Sequence, residues 1–254
     1  MSSTSYVSPL RAVTAAIGAA LAFGAVLPAN ADITGNINVV SKYVLRGITT
    51  GTGYGSENNS SAVQGGFDYS HSSGFYAGYW GSNLSYVYGG ANNENVFAGF
   101  ESDLYAGYKG TAGPMSYGAG LIYYAYTAVQ DADATEVALT AGFGDATLGV
   151  NYLTKDVIWG NKGDTYVSLG YSAGLPSDFS LSGTLMYYIY KKDGEFITDD
   201  GTEKDSAYRG VNVTLSHPLG KTGGSMGLSV VGGGVDRFGV YQKYEPVLSF
   251  GMTF

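Results

Sequence analysis

The chain has 254 residues, a net charge of −8 and no cysteine, and only 13% of its residues are charged. An acidic chain has no general means of gripping phosphate backbones, and a chain without cysteine has no disulfides, thiolate metal sites or cysteine nucleophile. Low charge combined with 40 glycines and 23 tyrosines favours strands, tight turns and an aromatic–lipid interface over a soluble helical enzyme.

The first predicted element is a secretory signal peptide over residues 1–31. Arg11 precedes an apolar run from Ala12 to Leu27, and residues 29–31 read Ala-Asn-Ala, an A-x-A cleavage pattern. A membrane-spanning helix needs about 20 predominantly apolar residues, and this run is shorter and rich in alanine. We therefore expect residues 1–31 to be removed and residues 32–254 to form a single domain.

The remainder of the chain alternates with a period of two residues in runs of about ten, the length a tilted strand needs to cross a bilayer. In the last run, Leu248, Phe250 and Met252 share one face, while Ser249 and Gly251 share the other. Twelve strands are predicted, at 36–47, 63–71, 75–84, 96–109, 115–127, 136–143, 146–155, 165–174, 179–191, 207–217, 225–235 and 244–254.

The connections between these strands alternate in length. Short ones rich in Gly, Pro, Asp and Ser fall at 72–74, 111–114, 144–146, 175–178 and 220–224, and longer ones include 48–62, 85–95 and 192–206. Short turns at one end and long loops at the other are typical of bacterial outer-membrane barrels, and an even strand count places both termini on the periplasmic, short-turn side. Closure of strand one on strand twelve would leave no open edge in lipid. The predicted fold class is all-β, a transmembrane up-and-down antiparallel barrel of 12 strands, which the alternation and turn asymmetry favour over a soluble sandwich.

Three stretches near the N-terminus resemble a known family. They are an aromatic-x-x-Arg-Gly stretch at Tyr43–Gly47, a Gln-Gly-Gly-x-Asp-Tyr stretch at Gln64–Tyr69 and a Gly-Phe-Tyr-Ala-Gly-x-Trp-Gly-Ser block at Gly74–Ser82. These motifs resemble the TorF-type family of outer-membrane porins, a proteobacterial barrel family of poorly defined function. The resemblance covers strands one to three and implies a channel-like barrel in the bacterial outer membrane, without naming a solute. Lys42 stands where an acid or another polar residue is expected.

Enzymatic chemistry has little support in this sequence. A catalytic triad needs a base within hydrogen-bond reach of a nucleophile, and both histidines, His71 and His217, fall at the short-turn end, away from the leaflet that would hold an outer-leaflet lipid. The acidic loop 191–205 does not meet the spacing of a calcium-binding loop. We therefore predict no enzyme activity, no cofactor and no metal site, with a lipid-modifying barrel enzyme as a distant alternative.

The lumen carries the remaining candidate chemistry. Lys42 and Arg46 stand four residues apart, which on a strand places both on one face. With Tyr43 and Leu45 toward lipid, both cations would face the lumen, and we expect Arg46 to approach Glu245 across the closing seam, with Asp68 or Gln64 on the other side. Charged side chains facing lipid would cost several kcal/mol each. The candidate lumen or constriction residues are Lys42, Arg46, Gln64, Asp68, Trp80, Glu101, Asp103, Tyr124, Tyr126 and Glu245.

Strand number suggests the function. About eight strands leave an interior that side chains fill, and sixteen to eighteen leave a wide aqueous channel, so twelve predict a narrow pore. Lined by tyrosines and opposed charges, such a pore would pass small hydrophilic solutes by diffusion, within outer-membrane lipid and lipopolysaccharide. In the alternative reading the charges neutralise one another and plug a closed barrel with a structural or surface-binding role. The sequence does not decide between these readings, nor does it set an oligomeric state.

Overall fold

A computed structural model describes residues 31–49, 61–88, 95–127 and 129–254 of the chain. Within these ranges no helix is long and apolar enough to cross a membrane. The predicted signal peptide lies outside the described residues, apart from Ala31. The described residues form twelve strands, β1 to β12, at Asp32–Val40, Ala62–Ser70, Phe75–Tyr88, Asn95–Ala112, Met115–Thr127, Ala134–Phe143, Ala146–Leu153, Thr165–Gly174, Ser180–Ile189, Ser206–Pro218, Gly224–Gly233 and Glu245–Thr253.

The strands close into a single antiparallel barrel. Each strand pairs with its neighbours along the chain, and β1 pairs with β12 to complete the ring. Phe254 and Gly35 exchange backbone hydrogen bonds, which places the C-terminus beside the start of β1. We call this end, which also holds the short connections after β2, β4, β6, β8 and β10, the turn end, and the opposite end the loop end. The predicted fold class is confirmed.

The connection between β3 and β4 is shorter than predicted. We expected a loop over 85–95, but β3 continues to Tyr88 and β4 begins at Asn95, and the two strands stay paired throughout. The prediction was wrong because Tyr and Val in residues 86–88 favour strand structure. Only the Gly and Asn residues that follow them are strong turn formers.

The two faces of the barrel wall differ in polarity. Outward side chains such as Leu104, Leu169 and Leu228 are about half exposed, at 56%, 48% and 47%. Inward side chains at alternating positions are polar and buried, as with Asn38 and Glu101. An apolar outer band around a polar interior is the pattern of a barrel that spans a bilayer.

The first strand ends earlier than predicted. We expected a strand over 36–47, but β1 ends at Val40. The Ser41 N–H still bonds to the Leu248 carbonyl, and the Ser41 hydroxyl accepts the Leu248 N–H, which ends the β1–β12 ladder. Beyond Ser41 the chain leaves the wall and turns into the barrel.

Candidate functional site

Residues 41–49, here called the inward segment, occupy the loop half of the lumen. Tyr43 and Val44 are buried, with 6% and 1% of their surfaces exposed. The predictions that residues 41–47 form the upper part of strand one and that Tyr43 and Leu45 face lipid are therefore wrong. Thr49 brings the segment back to the mouth, where its N–H donates to the Gln242 side-chain oxygen at 2.8 Å.

Arg46 anchors the inward segment to the far wall. Its two terminal nitrogens donate to the two carboxylate oxygens of Glu136 on β6, at 2.8 and 2.6 Å. The same nitrogens donate to the hydroxyls of Tyr188 and Tyr124, and the guanidinium lies 4.7 Å from the ring centre of Tyr166. A planar guanidinium suits this arrangement because it can form a bidentate pair and stack on an aromatic ring at once.

The tip of the inward segment adopts left-handed backbone conformations. Arg46 has φ +47° and Gly47 has φ +79°. A Cβ on residue 47 would lie 2.6 Å from the Arg209 carbonyl oxygen. Residue 47 must therefore be glycine both for its positive φ and for the lack of space for a Cβ. Arg46 also has a positive φ, which few non-glycine residues adopt, and its side-chain contacts hold it in that conformation.

Arg209 holds the same turn from the opposite side. Its Nε and Nη2 donate to the Arg46 carbonyl at 3.4 and 3.3 Å, and its Nη1 donates to the Tyr190 hydroxyl at 3.0 Å. The β9–β10 register shifts between Tyr208 and Gly210. Such a bulge re-aims a side chain, and here it places Arg209 inside the barrel, although simple alternation from Asn212 would place it outside.

The wall formed by β2, β3 and β4 carries a group of acidic and amide side chains. Glu101 accepts hydrogen bonds from the hydroxyls of Tyr43 and Tyr126, at 2.8 and 2.9 Å. Gln64 and Asp103 are each 2% exposed, and the Gln64 amide nitrogen donates to a neighbouring serine hydroxyl at 3.3 Å. Four predicted candidates, Gln64, Glu101, Asp103 and Tyr126, thus line one side of the loop half.

Trp80 completes this wall. It is the direct register partner of Asp103 on the adjacent strand, and its ring centre lies 6.0 Å from that of Tyr43. Tyr124 pairs with Asp103 on the other side, from β5, and its hydroxyl also donates to Glu136. The acidic wall and the Arg46 anchor are therefore neighbouring parts of one site.

The predicted contact between Arg46 and Glu245 is wrong. Lys42 takes that position, with its amine 3.3 Å from a Glu245 carboxylate oxygen, while Arg46 reaches the opposite wall. The reason is the departure of the chain from the wall at residue 41, which carries Arg46 across the lumen. Asp68 lies lower on β2 and accepts a 2.5 Å hydrogen bond from Tyr105, so it does not join Arg46 either.

An apolar core packs around the inward segment in the loop half. The buried side chains that form it belong to one cluster, which includes Val40, Val44, Ile122, Met186 and Val247. Val44 comes from the inward segment, and the other four come from β1, β5, β9 and β12. The inward segment thus contributes both a charged anchor and an apolar contact to the interior.

The turn half of the lumen is lined differently. On β7 to β12 its inward positions are mostly glycines and small hydroxyl residues, and Thr147 and Ser172 are exposed, whereas Tyr76 and Tyr105 are larger inward residues on β3 and β4. Ser172 is inward because its neighbours Leu169 and Tyr171 are outward and 48% and 58% exposed. Small polar side chains leave room for water in this half.

The loops at the loop end pack into a cap over one side of the mouth. The Nη2 of Arg237, between β11 and β12, lies 2.9 Å from an Asp164 carboxylate oxygen, between β7 and β8. Asn161 donates to the carbonyls of Lys191 and Ile197 in a third loop. Burial raises the pKa of the Asp164 carboxyl, although the adjoining Arg237 cation acts in the opposite direction.

Sequence reasoning missed several of the contacts that hold this site. Glu136 could have been found, because Val137 and Leu139 are apolar residues of a predicted strand, and alternation places residue 136 on the opposite, inward face. Arg209 could not be found this way, because the bulge reverses the alternation. The Asp164–Arg237 pair joins two loops, and no local pattern in the sequence connects them.

Solved structures with the same fold are outer-membrane channels. A "KdgM porin" has a TM-score of 0.52 with this chain at 9% identity, covering 87% of this chain and 98% of that one. The COG4313 outer membrane channel from Pseudomonas putida F1 has a TM-score of 0.53 at 13% identity, covering 90% and 97%. At these identities the likeness shows the fold alone.

The sequence comparisons identify the family. No curated protein matches the chain. A family model described as a bacterial protein of unknown function, Gcw_chp, matches residues 26–218. This is not the TorF-type name suggested by the three N-terminal motifs, so that resemblance stays a prediction. The match spans well over half of the chain, and the protein therefore belongs to the Gcw_chp family.

Proposed function

We propose that the protein is an outer-membrane channel that lets small hydrophilic solutes diffuse through its lumen, with the inward segment forming the constriction. The observation that carries this proposal is the contrast within the lumen. In the turn half, β7 to β12 present small polar residues such as the exposed Ser172, whereas in the loop half a tethered segment packs against long wall side chains.

Three further observations support an outer-membrane channel. The outward face is apolar, the N-terminus is predicted to be a signal peptide, and the solved structures of similar fold are a porin and an outer-membrane channel. A wall of twelve strands is wider than its own side chains fill. A separate segment is therefore needed to narrow the lumen, and a segment held by side-chain contacts can move without unfolding the wall.

The test is planar-bilayer conductance of the refolded protein. We expect discrete conductance steps, and we expect larger steps from Arg46→Ala, because that variant removes the anchor of the inward segment. Heat-dependent gel mobility of each variant establishes that the barrel is folded. Absence of steps above the lipid background in both proteins would overturn the proposal.

A closed barrel with a structural or surface-binding role is the second candidate. The buried apolar cluster that includes Val44 and Ile122 favours it, since apolar side chains packed inside the lumen resist the passage of polar solutes. Conductance separates the candidates: a closed barrel gives no steps from the wild-type protein and none from Arg46→Ala.

A further inference from the structure

We propose that the wall of β2, β3 and β4 holds a binding site for a monovalent cation, an alkali ion or a protonated primary amine, formed by Asp103, Glu101 and Gln64. The consequence for transport, a preference for cationic solutes, rests on the proposed function. Binding itself does not require an open channel.

Two carboxylates lie close together here, and no ion pair is formed with either of them among the described residues. Glu101 and Asp103 face inward two residues apart on β4, and their exposed fractions are 1% and 2%. Among the described residues, neither carboxylate lies within ion-pair distance of a Lys, Arg or His nitrogen. The nearby Arg46 guanidinium is already engaged with both oxygens of Glu136. A buried charge without a partner is costly, so a carboxylate here takes up either a proton or a cation, and a bound cation competes with that proton.

Two buried acceptor oxygens on this wall lack a partner. The Oδ1 atom of Asp103 is fully enclosed and has no hydrogen-bond partner among the described residues. The same holds for the Oε1 atom of Gln64, a neutral side chain on a different strand. Buried acceptors normally have a partner, and two that lack one on the same wall indicate a missing cation or donor.

The orientation of the Gln64 amide is set by its surroundings. The Ser82 hydroxyl donates to the Asn83 carbonyl at 3.0 Å, so its oxygen is left to accept a hydrogen bond from the Gln64 amide nitrogen. This leaves Oε1 of Gln64 as the free atom. Gln64, Ser82 and Glu101 are register partners in one row across three strands, and Asp103 begins the next row.

The chemistry of the site suits a single positive charge. Each Glu101 oxygen already accepts a tyrosine hydroxyl, so Asp103 supplies the free charged oxygen and Gln64 a neutral one. Hard divalent cations prefer several charged oxygen ligands, and this set offers one free charged oxygen. The rings of Trp80 and Tyr43 lie beside the carboxylates, and aromatic faces attract alkali and ammonium ions.

The test uses thallium(I), a potassium-sized ion that quenches tryptophan fluorescence on contact. The chain has 2 tryptophans, Trp80 and Trp159. A Trp159→Phe background leaves Trp80 as the single reporter, directly across from Asp103. Protein refolded in detergent is titrated with thallium nitrate, and potassium or methylammonium is then added to displace it.

We expect saturable quenching that a competitor reverses, and we expect Asp103→Asn to weaken thallium binding at least about tenfold, since it removes one full charge at contact distance. Displacement by potassium identifies an alkali-ion site, and displacement only by methylammonium identifies an amine site. Asp68→Asn is the matched control, because it removes the same charge lower on the wall, where Tyr105 already bonds to the carboxylate. It should change binding less than about twofold.

A second variant guards against misfolding as an explanation. Gln64→Glu adds a charge to the same row and should tighten thallium binding, a gain that a misfolded protein does not show. Linear, non-saturating quenching that is equal in the parent protein and in Asp103→Asn would overturn the proposal. This result stands apart from the conductance test, because binding in detergent is measured whether or not the channel conducts.

Discussion

The loop half and the turn half of the lumen are built from the same twelve strands but by opposite means. In the loop half, the inward segment, long aromatic side chains and ion pairs fill the space, and Glu101, Glu136 and Gln64 are almost completely buried. In the turn half, β7 to β12 present mainly glycine, serine and threonine, while larger inward side chains such as Tyr76 and Tyr105 lie on β3 and β4. The difference teaches that in this barrel an added segment, together with the long wall side chains that it contacts, narrows the loop half of the lumen.

Removal of the Arg46 side chain should have the largest effect on the packing of the loop half. Arg46→Ala leaves the Glu136 carboxylate buried without its partner, and breaking a buried pair typically costs about 3–5 kcal/mol. We expect a loss of that order in the free energy of unfolding, measured by urea titration in detergent, together with larger conductance steps. A loss below about 1 kcal/mol would show that the segment is held by its other contacts.

Paired bulky substitutions compare the two halves directly. Ala138 on β6 is inward and 3% exposed, whereas Ser172 on β8 is inward and exposed. Ala138→Phe should cost about 1–3 kcal/mol through overpacking, and Ser172→Phe should stay within about 0.5 kcal/mol of the parent protein. Similar costs at both positions, measured by the same urea titration, would mean that the turn half is also packed.

The turn at the tip of the inward segment gives an intermediate effect. Gly47→Ala places a Cβ at φ +79° and against the Arg209 carbonyl. We expect a loss of about 1–2 kcal/mol in unfolding free energy. Gly174→Ala on β8 is the control, because a Cβ there would have no neighbour within 4 Å. Equal stability of the two variants would contradict the tight approach of Gly47 to Arg209.

The smallest effect on stability and conductance is expected near the seam where β1 pairs with β12. The Lys42 and Glu245 side chains keep 16% and 32% of their surfaces exposed, and partly exposed pairs contribute about 0–1 kcal/mol. Lys42→Ala should therefore change stability by less than about 1 kcal/mol and leave the conductance steps close to those of the parent protein. A conductance rise equal to that of Arg46→Ala would show that both cations hold the segment equally.

Most of the fold can be predicted from the sequence because alternation and turn residues are local signals. Eleven of the twelve predicted strands overlap closely with observed ones, and the short turns fall where Gly, Pro, Asp and Ser cluster. The path of residues 41–49 could not be predicted, because Ser41 to Arg46 alternate as well as a strand does. Contacts between residues distant in the sequence draw the segment inward, such as that of Arg46 with Glu136, 90 residues away, and no local pattern encodes such a contact.

The predicted site residues show the same division. The inward positions of Gln64, Glu101 and Asp103 follow from strand alternation, since charge facing lipid is costly. Strand alternation does not predict which carboxylate pairs with Arg46, because the choice between Glu245 and Glu136 depends on where the chain leaves the wall. The buried Glu101 and Asp103 carboxylates could be placed from sequence, but the lack of a cation beside them could not.

Thiol accessibility tests the central claim most directly, because the chain has no cysteine of its own. Single cysteines are placed at Ser172, in the turn half, and at Ala138, among the packed side chains, and each is treated with a small charged thiol reagent. We predict fast reaction of Ser172→Cys, protection of Ala138→Cys, and loss of that protection when Arg46→Ala is added. Equal reaction of both cysteines, or protection of Ala138→Cys that survives the loss of Arg46, would contradict an account in which the inward segment closes the loop half.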